Sequence, residues 1–170
     1  MTLNRRMPPP LRPMGEFQLV RPERTRMKNG MPLNVIRAGS QEVVRLDVLI
    51  GGGQWHQTQA LQALFTNRML REGTSSVTSV QIAEKLDYYG AWLELSSAVN
   101  YGFITLHSLN KYFPSTLAII ADMLKDPAFP EKELEVVVES NRQQFLVNST
   151  RVEVIARKQL HRSLFGEQHP

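Results

Sequence analysis

The run Leu64-Phe65-Thr66-Asn67-Arg68-Met69-Leu70-Arg71-Glu72-Gly73-Thr74 decides how this chain folds. Apolar residues at Leu61, Leu64, Phe65 and Met69 recur at helical spacing, and Thr58 stands where an N-cap belongs. Gly73 then supplies a helix stop. The spacing therefore predicts a helix from about Thr58 toward Gly73.

Upstream of that helix, Val44, Leu46, Val48 and Ile50 alternate with Val43, Arg45, Asp47 and Leu49. Period-two alternation reads as a half-buried strand, and Gly51-Gly52-Gly53 ends it. The glycine run lacks the Gly-x-x-x-x-Gly-Lys-Ser/Thr spacing of a phosphate cradle, so it reads as a strand exit. Further upstream, Asn29-Gly30 signals a hairpin turn before a short strand over residues 32–37. Downstream, Thr78 and Gln81 fit a capping box for a helix through Ile82 and Leu86, stopped by Gly90. Two strands follow, residues 92–99 and 101–109, close enough to pair. Pro114-Ser115 opens a helix with Leu117, Ile120, Ala121 and Leu124 on one face. A helical stretch runs from Glu131 toward Val147, and Thr150 with Glu153 fits a capping box for a last helix through Ile155 and Leu160 to Gly166. The expected fold class is α+β, a mainly antiparallel sheet with helices packed on one face.

Composition bounds the function. The 170 residues carry 42% hydrophobic and 21% charged side chains, ordinary for a globular protein. The chain has no cysteine, which excludes a disulfide framework, a thiolate metal site and a cysteine nucleophile. The formal charge of +4 is concentrated in residues 1–28, where Arg5, Arg6, Arg12, Arg21, Arg24, Arg26 and Lys28 face only Glu16 and Glu23. That segment also holds Pro8, Pro9, Pro10, Pro13 and Pro22, so it reads as an extended basic arm, with residues 29–170 as the folded domain. The rest of the chain is close to neutral, and no nucleic-acid partner is expected. The arm lacks the apolar core of a signal peptide, and its prolines break the amphipathic helix of a mitochondrial presequence. No apolar run is long enough to span a bilayer. A cytoplasmic location is expected, with an organellar matrix as the alternative.

His56, His107, His161 and His169 include no pair spaced i, i+4, and read as surface or hydrogen-bonded imidazoles. Ser75-Ser76 and Ser96-Ser97 lie outside any Gly-x-Ser-x-Gly elbow. Tyr88, Tyr89, Trp92, Tyr101 and Phe103 are expected to line the core between sheet and helices, a peptide-binding surface being the other reading.

The order of elements, together with several local signatures, resembles the N-terminal domain of insulinase/pitrilysin-type zinc metallopeptidases, the group that includes the mitochondrial processing peptidase subunits. The matching pieces are Asn29-Gly30-Met31, the strand to Gly52, Met69 to Thr74, Gly90-Ala91, Leu124 to Phe129, and Leu164-Phe165-Gly166 before His169-Pro170. The likeness covers roughly residues 25–170, and the family domain continues further, so an incomplete C-terminus is expected.

The resemblance implies a His-x-x-Glu-His motif just before the Met-Leu stretch, its two imidazoles converging on zinc from one helix face and its glutamate taking a proton from the bound water. A later helix brings a third ligand, a glutamate. Counting back from Met69, those motif positions hold Leu64, Phe65, Thr66, Asn67 and Arg68. Leu64 has no lone pair, Asn67 is no base, and Arg68 is a fixed cation that repels Zn²⁺. The later glutamate aligns with Ser140, next to Glu139. Arg68 is expected to pair with Glu139 or Glu135. The family's substrate-edge Asn-Ala aligns with Glu94 and Leu95, followed by Ser96.

By resemblance the chain is expected to be a non-catalytic homologue of a zinc peptidase. It would pair with a zinc-bearing homologue to wall a peptide-degrading or processing chamber, and zinc is expected only in that partner. Two rivals remain. The chain could be part of an active peptidase whose motif lies elsewhere in a longer polypeptide, or it could be a stand-alone peptide-binding or scaffold module.

Overall fold

Asn29 and Gly30 reverse the chain between β1, Glu23–Arg26, and β2, Pro32–Val35, which pair antiparallel with Arg26 opposite Pro32. Gly30 takes a positive φ of 83°, and the Asn29 side chain accepts the Met31 N–H at 3.1 Å. The computed structural model describes residue 15 and residues 18–167. Most of the basic arm and His169-Pro170 therefore lie outside the described residues. The chain divides between Gln41 and Glu42 into two units, the hairpin belonging to the first. This hairpin takes in residues on both sides of position 28.

The second unit is built on a three-stranded antiparallel sheet of β3 (Val43–Gly51), β4 (Trp92–Ser97) and β5 (Tyr101–Leu109), in the order β3-β5-β4. Register sets which side chains share a face. Leu46, Leu106 and Leu93 form one row and Val48, Ile104 and Leu95 the next. These rows pack with α1 (Gln62–Met69), α2 (Ser79–Tyr88) and α3 (Phe113–Lys125), whose Ile82, Leu86, Ile120 and Met123 join Leu70, Ile104 and Leu106 in the buried core. Two further helices follow, α4 (Glu131–Ser149) and α5 (Val152–Phe165), α4 lying against α1 and α5 against α4. The α+β arrangement expected from the alternating and helical periods is what the chain adopts.

Three local expectations are corrected. The first helix starts only after Leu61, which takes a left-handed φ of 67°, because the Gln62 carboxamide oxygen accepts the Thr58 N–H and hydroxyl and holds them outside the helix. Its buried face is Ala63, Asn67 and Met69 rather than Leu61, Leu64 and Phe65. Helix α3 likewise buries Thr116, Ile120 and Met123, the Thr116 hydroxyl being satisfied by Ser108 and by carbonyls of its own preceding turn. Helix α5 has no Thr150 capping box; the Thr150 hydroxyl donates back to the Val147 carbonyl at the end of α4.

The aromatic residues are corrected too. Trp92, Tyr101 and Phe103 alternate onto the sheet face away from the core, Trp92 being 68% exposed, and Tyr88 is 81% exposed. The glycine run after β3 has a packing reason beyond ending a strand. A Cβ on Gly53 would collide with the Ala98 carbonyl and the Tyr101 N–H, because the backbone of residues 53–55 hydrogen-bonds across to Ala98, Val99 and Asn100.

Candidate functional site

Helix α1 is held from two sides. Ala63, Asn67 and Leu70 follow one another at i, i+4 and i+7 and are buried toward the sheet. Leu64 and Arg68, four apart, share a half-buried face on the α4 side. Arg68 Nη1 crosses to α4 and donates to Asn141 Oδ1 at 3.2 Å. The resemblance had implied this convergence of α1 and α4, but the partner is corrected. Glu139 is exposed and bound within its own helix, its carboxylate accepting from Arg142 at 2.8 Å and from Gln143. Those hydrogen bonds hold its carboxyl below the ordinary glutamate value. Glu135 and Ser140 are exposed. The residue turned toward Arg68 is Asn141, one position beyond Ser140, so a neutral amide meets the guanidinium where a carboxylate was expected.

Asn67 holds the position where the resemblance implies a proton-accepting glutamate. Its side chain is only 6% exposed, and its Oδ1 is sealed from solvent with no hydrogen-bond partner. It lies against β5 at Gly102, where a Cβ would come within 2.8 Å of Asn67 Nδ2, so only glycine leaves room for the amide. An isolated glycine inside a strand was the one sequence signal of this close approach; nothing in the pattern marked Asn67 as buried or Asn141 as the partner of Arg68.

These residues do not fit a zinc ion. Leu64 offers no donor atom, Asn67 is no base, and a fixed cation held by Asn141 occupies the other position. Among the described residues, no group of three or more His, Asp or Glu side chains is placed to hold a metal. His107 lies on the open sheet face opposite Arg45 and Trp92, His161 meets the Phe165 ring edge-on, and His56 sits in a single 3-10 turn after β3.

The other sequence-derived residues lie on β4, which among the described residues is an edge strand paired only with β5. Leu95 points into the half-buried, core-side row, whereas Glu94 and Ser96 are exposed on the open face. Across that face Arg45 grips Asp47 through both its Nε and Nη2, and the Thr105 hydroxyl donates to Asp47 at 2.7 Å.

Comparison with known proteins gives this geometry a lineage. The model of the insulinase family, peptidase family M16, matches residues 35–169. An uncharacterized zinc protease of Bacillus subtilis (strain 168), YmxG, is 26% identical over 110 residues, 64% of this chain and 27% of that protein. Among solved structures, a peptidase M16 inactive domain from Pseudomonas fluorescens superposes with a TM-score of 0.73 at 19% identity, over 83% of this chain and 35% of that one. A protease from Helicobacter pylori gives 0.66 at 16% identity, over 76% and 32%. The two structural likenesses concern the fold, and the chain spans about a quarter to a third of the length of each of these relatives. With the family model covering most of its length, this chain belongs to the insulinase family of peptidases.

Proposed function

We propose that this chain is a non-catalytic member of the family that pairs with a zinc-bearing homologue and serves as the inactive half of a peptide-degrading or processing chamber. The observation that carries the reading is Arg68. In family members with an intact motif its position is read as a zinc-binding histidine; here it is a permanent cation whose hydrogen-bond partner, Asn141, comes from the helix read as supplying the third ligand. Leu64 and Asn67 remove the remaining donor and the base. The inactive M16 domain among the structural neighbours is in keeping with this reading.

In the same proposal zinc resides only in the partner subunit, peptide substrate lies along the edge strand at Glu94, Leu95 and Ser96, and the basic arm over residues 1–28 is separate from the peptidase-like domain over 29–170. No nucleic acid or membrane is a partner, and the location is cytoplasmic. Among the described residues no helix is long and apolar enough to cross a membrane. A second reading is favoured by length alone. Because the chain spans only 27–35% of these relatives, an intact motif could stand elsewhere in a longer polypeptide.

The test is elemental analysis of the purified protein for zinc, with peptide hydrolysis assayed alone and with a homologous zinc-bearing subunit. The expected result is no stoichiometric zinc, no hydrolysis alone, and hydrolysis with the partner. Stoichiometric zinc with activity alone defeats the proposal. Co-purification with some other ligand and no peptidase subunit points to a scaffold instead.

A further inference from the structure

Between α2 and the start of β4 runs an open groove of about 430 Å³, within the usual range of volumes for ligand sites. Its floor is apolar, from Val80, Ile82, Ala83, Leu86, Ala91 and Leu93. Charge is confined to its two ends. At one end Glu72 lies by Ser79, since Glu133 both acts on Glu72 and accepts the Ser79 hydroxyl at 3.4 Å. At the other end Asp87 stands in the last turn of α2. From Ser79 to Asp87 the helix advances roughly 12 Å. Neither carboxylate is well matched. Arg71, itself mostly exposed, reaches Glu72 at 3.5 Å, and burial with Glu133 still holds that carboxyl above the ordinary glutamate value. Asp87 has no ion pair or side-chain hydrogen bond among the described residues, and it sits at the helix end where the dipole opposes negative charge. A carboxylate that works against its own helix, without a partner in the fold, points to a use outside the fold.

An apolar groove with a carboxylate at each end matches a linear molecule with a hydrocarbon middle and two cationic ends. An anion would meet like charge at both ends. A ligand with a single ammonium would leave one carboxylate unmatched. We propose that this groove binds a linear aliphatic diamine, its methylene chain on the floor between α2 and β4, one ammonium on Glu72 and the other on Asp87. Because the groove is open, each ammonium keeps its outer side in water and gives up only part of its hydration. The site lies apart from Leu64, Asn67 and Arg68. It does not depend on pairing with a zinc-bearing homologue, so the two proposals stand or fall separately.

The test is calorimetric titration of the purified full chain at pH 7 with 1,8-diaminooctane. Saturable binding of one molecule per chain is expected. Glu72→Gln is expected to weaken it about tenfold, and Asp87→Asn, at the more exposed end, about threefold. Neither change threatens the fold, since each removes a charge that its surroundings oppose. Urea unfolding of both variants is therefore expected to show them at least as stable as wild type. 8-Amino-1-octanol keeps the length but one ammonium, and is expected to bind about threefold more weakly. 1,3-Diaminopropane keeps both charges without the reach, and is expected to bind at least tenfold more weakly. No saturable binding of 1,8-diaminooctane, unchanged affinity in both variants, or equally tight binding of either comparison amine would overturn the proposal.

Discussion

At the scale of single residues, two carboxylates carry opposite pH signatures. Burial pushes Asp47 up, but hydrogen bonds from Arg45 and Thr105 outweigh it and hold its carboxyl below the ordinary aspartate value. A depressed folded value means that Asp47 contributes stability above the unfolded value of roughly 4 and loses it as pH falls through the lower folded value. Asp47→Asn is therefore expected to be less stable than wild type in urea at pH 7, with the gap closing toward pH 2.5. Glu72 is the reverse. Burial raises it first, helped by Glu133 and opposed by Arg71, so its contribution is fully present below the ordinary glutamate value and is lost as pH rises through the folded one. Glu72→Gln is expected to gain stability at pH 7 and to lose that gain near pH 3.5; a gain independent of pH would show that charge at Glu72 is not the cause. The candidate site was legible at this scale only in part. Residue type alone told that Leu64, Asn67 and Arg68 cannot serve zinc, because donor chemistry needs no geometry. Which side chain faces Arg68 depends on how α4 is rotated against α1, and Glu139 and Asn141, two residues apart, lie about 160° from each other around the helix.

At the scale of elements, the caps separate what sequence can and cannot tell. Thr78 and Gln81 form the full reciprocal box, the Thr78 hydroxyl accepting the Gln81 N–H at 3.3 Å and the Gln81 side chain accepting the Thr78 N–H at 3.0 Å. Thr150 and Glu153 have the same spacing, but the chain leaves α4 so tightly that the Thr150 hydroxyl is taken by Val147. Spacing decides a cap only where the preceding residue is free of another helix. Thr78→Ala is expected to cost about 1 kcal/mol in urea unfolding, and Thr150→Ala less than about 0.5 kcal/mol. Equal costs would mean that the box contributes nothing beyond an ordinary surface threonine. The half-buried face of β3 was legible for a similar reason: a two-residue period leaves only two choices of face, and Val44, Leu46 and Val48 mark the one the strand buries. Helix faces were read less well, since Thr116 and Asn67 are buried by local hydrogen bonding and a facing glycine, neither of which shows in a hydrophobic period.

At the scale of the molecule, α1, α2 and α3 are anchored in the core, while α4 and α5 bury no residue fully. Val136, Phe145, Leu146 and Val147 on α4 are each more than half exposed, as are Val152 and Leu160 on α5. A helix of 14 residues such as α5 is marginal in water on its own, and α4 likewise buries no residue fully, so a surface covering those faces would add to the stability of both. In the chain alone, backbone amides of α4 beyond Asn141 and of α5 are expected to exchange hydrogen at least tenfold faster than those of α3 and β5, because local opening there exposes little apolar surface that was not already wet. The pairing proposed above makes a further demand. Adding the zinc-bearing homologue should slow exchange in α4 and α5 while leaving α3 unchanged. Protection of both helices in the isolated chain, equal to that of α3, would show that they are already packed and would leave those faces without need of a partner. Protection that appears only with the homologue would place the contact on α4 and α5, the elements with the most apolar surface still to bury.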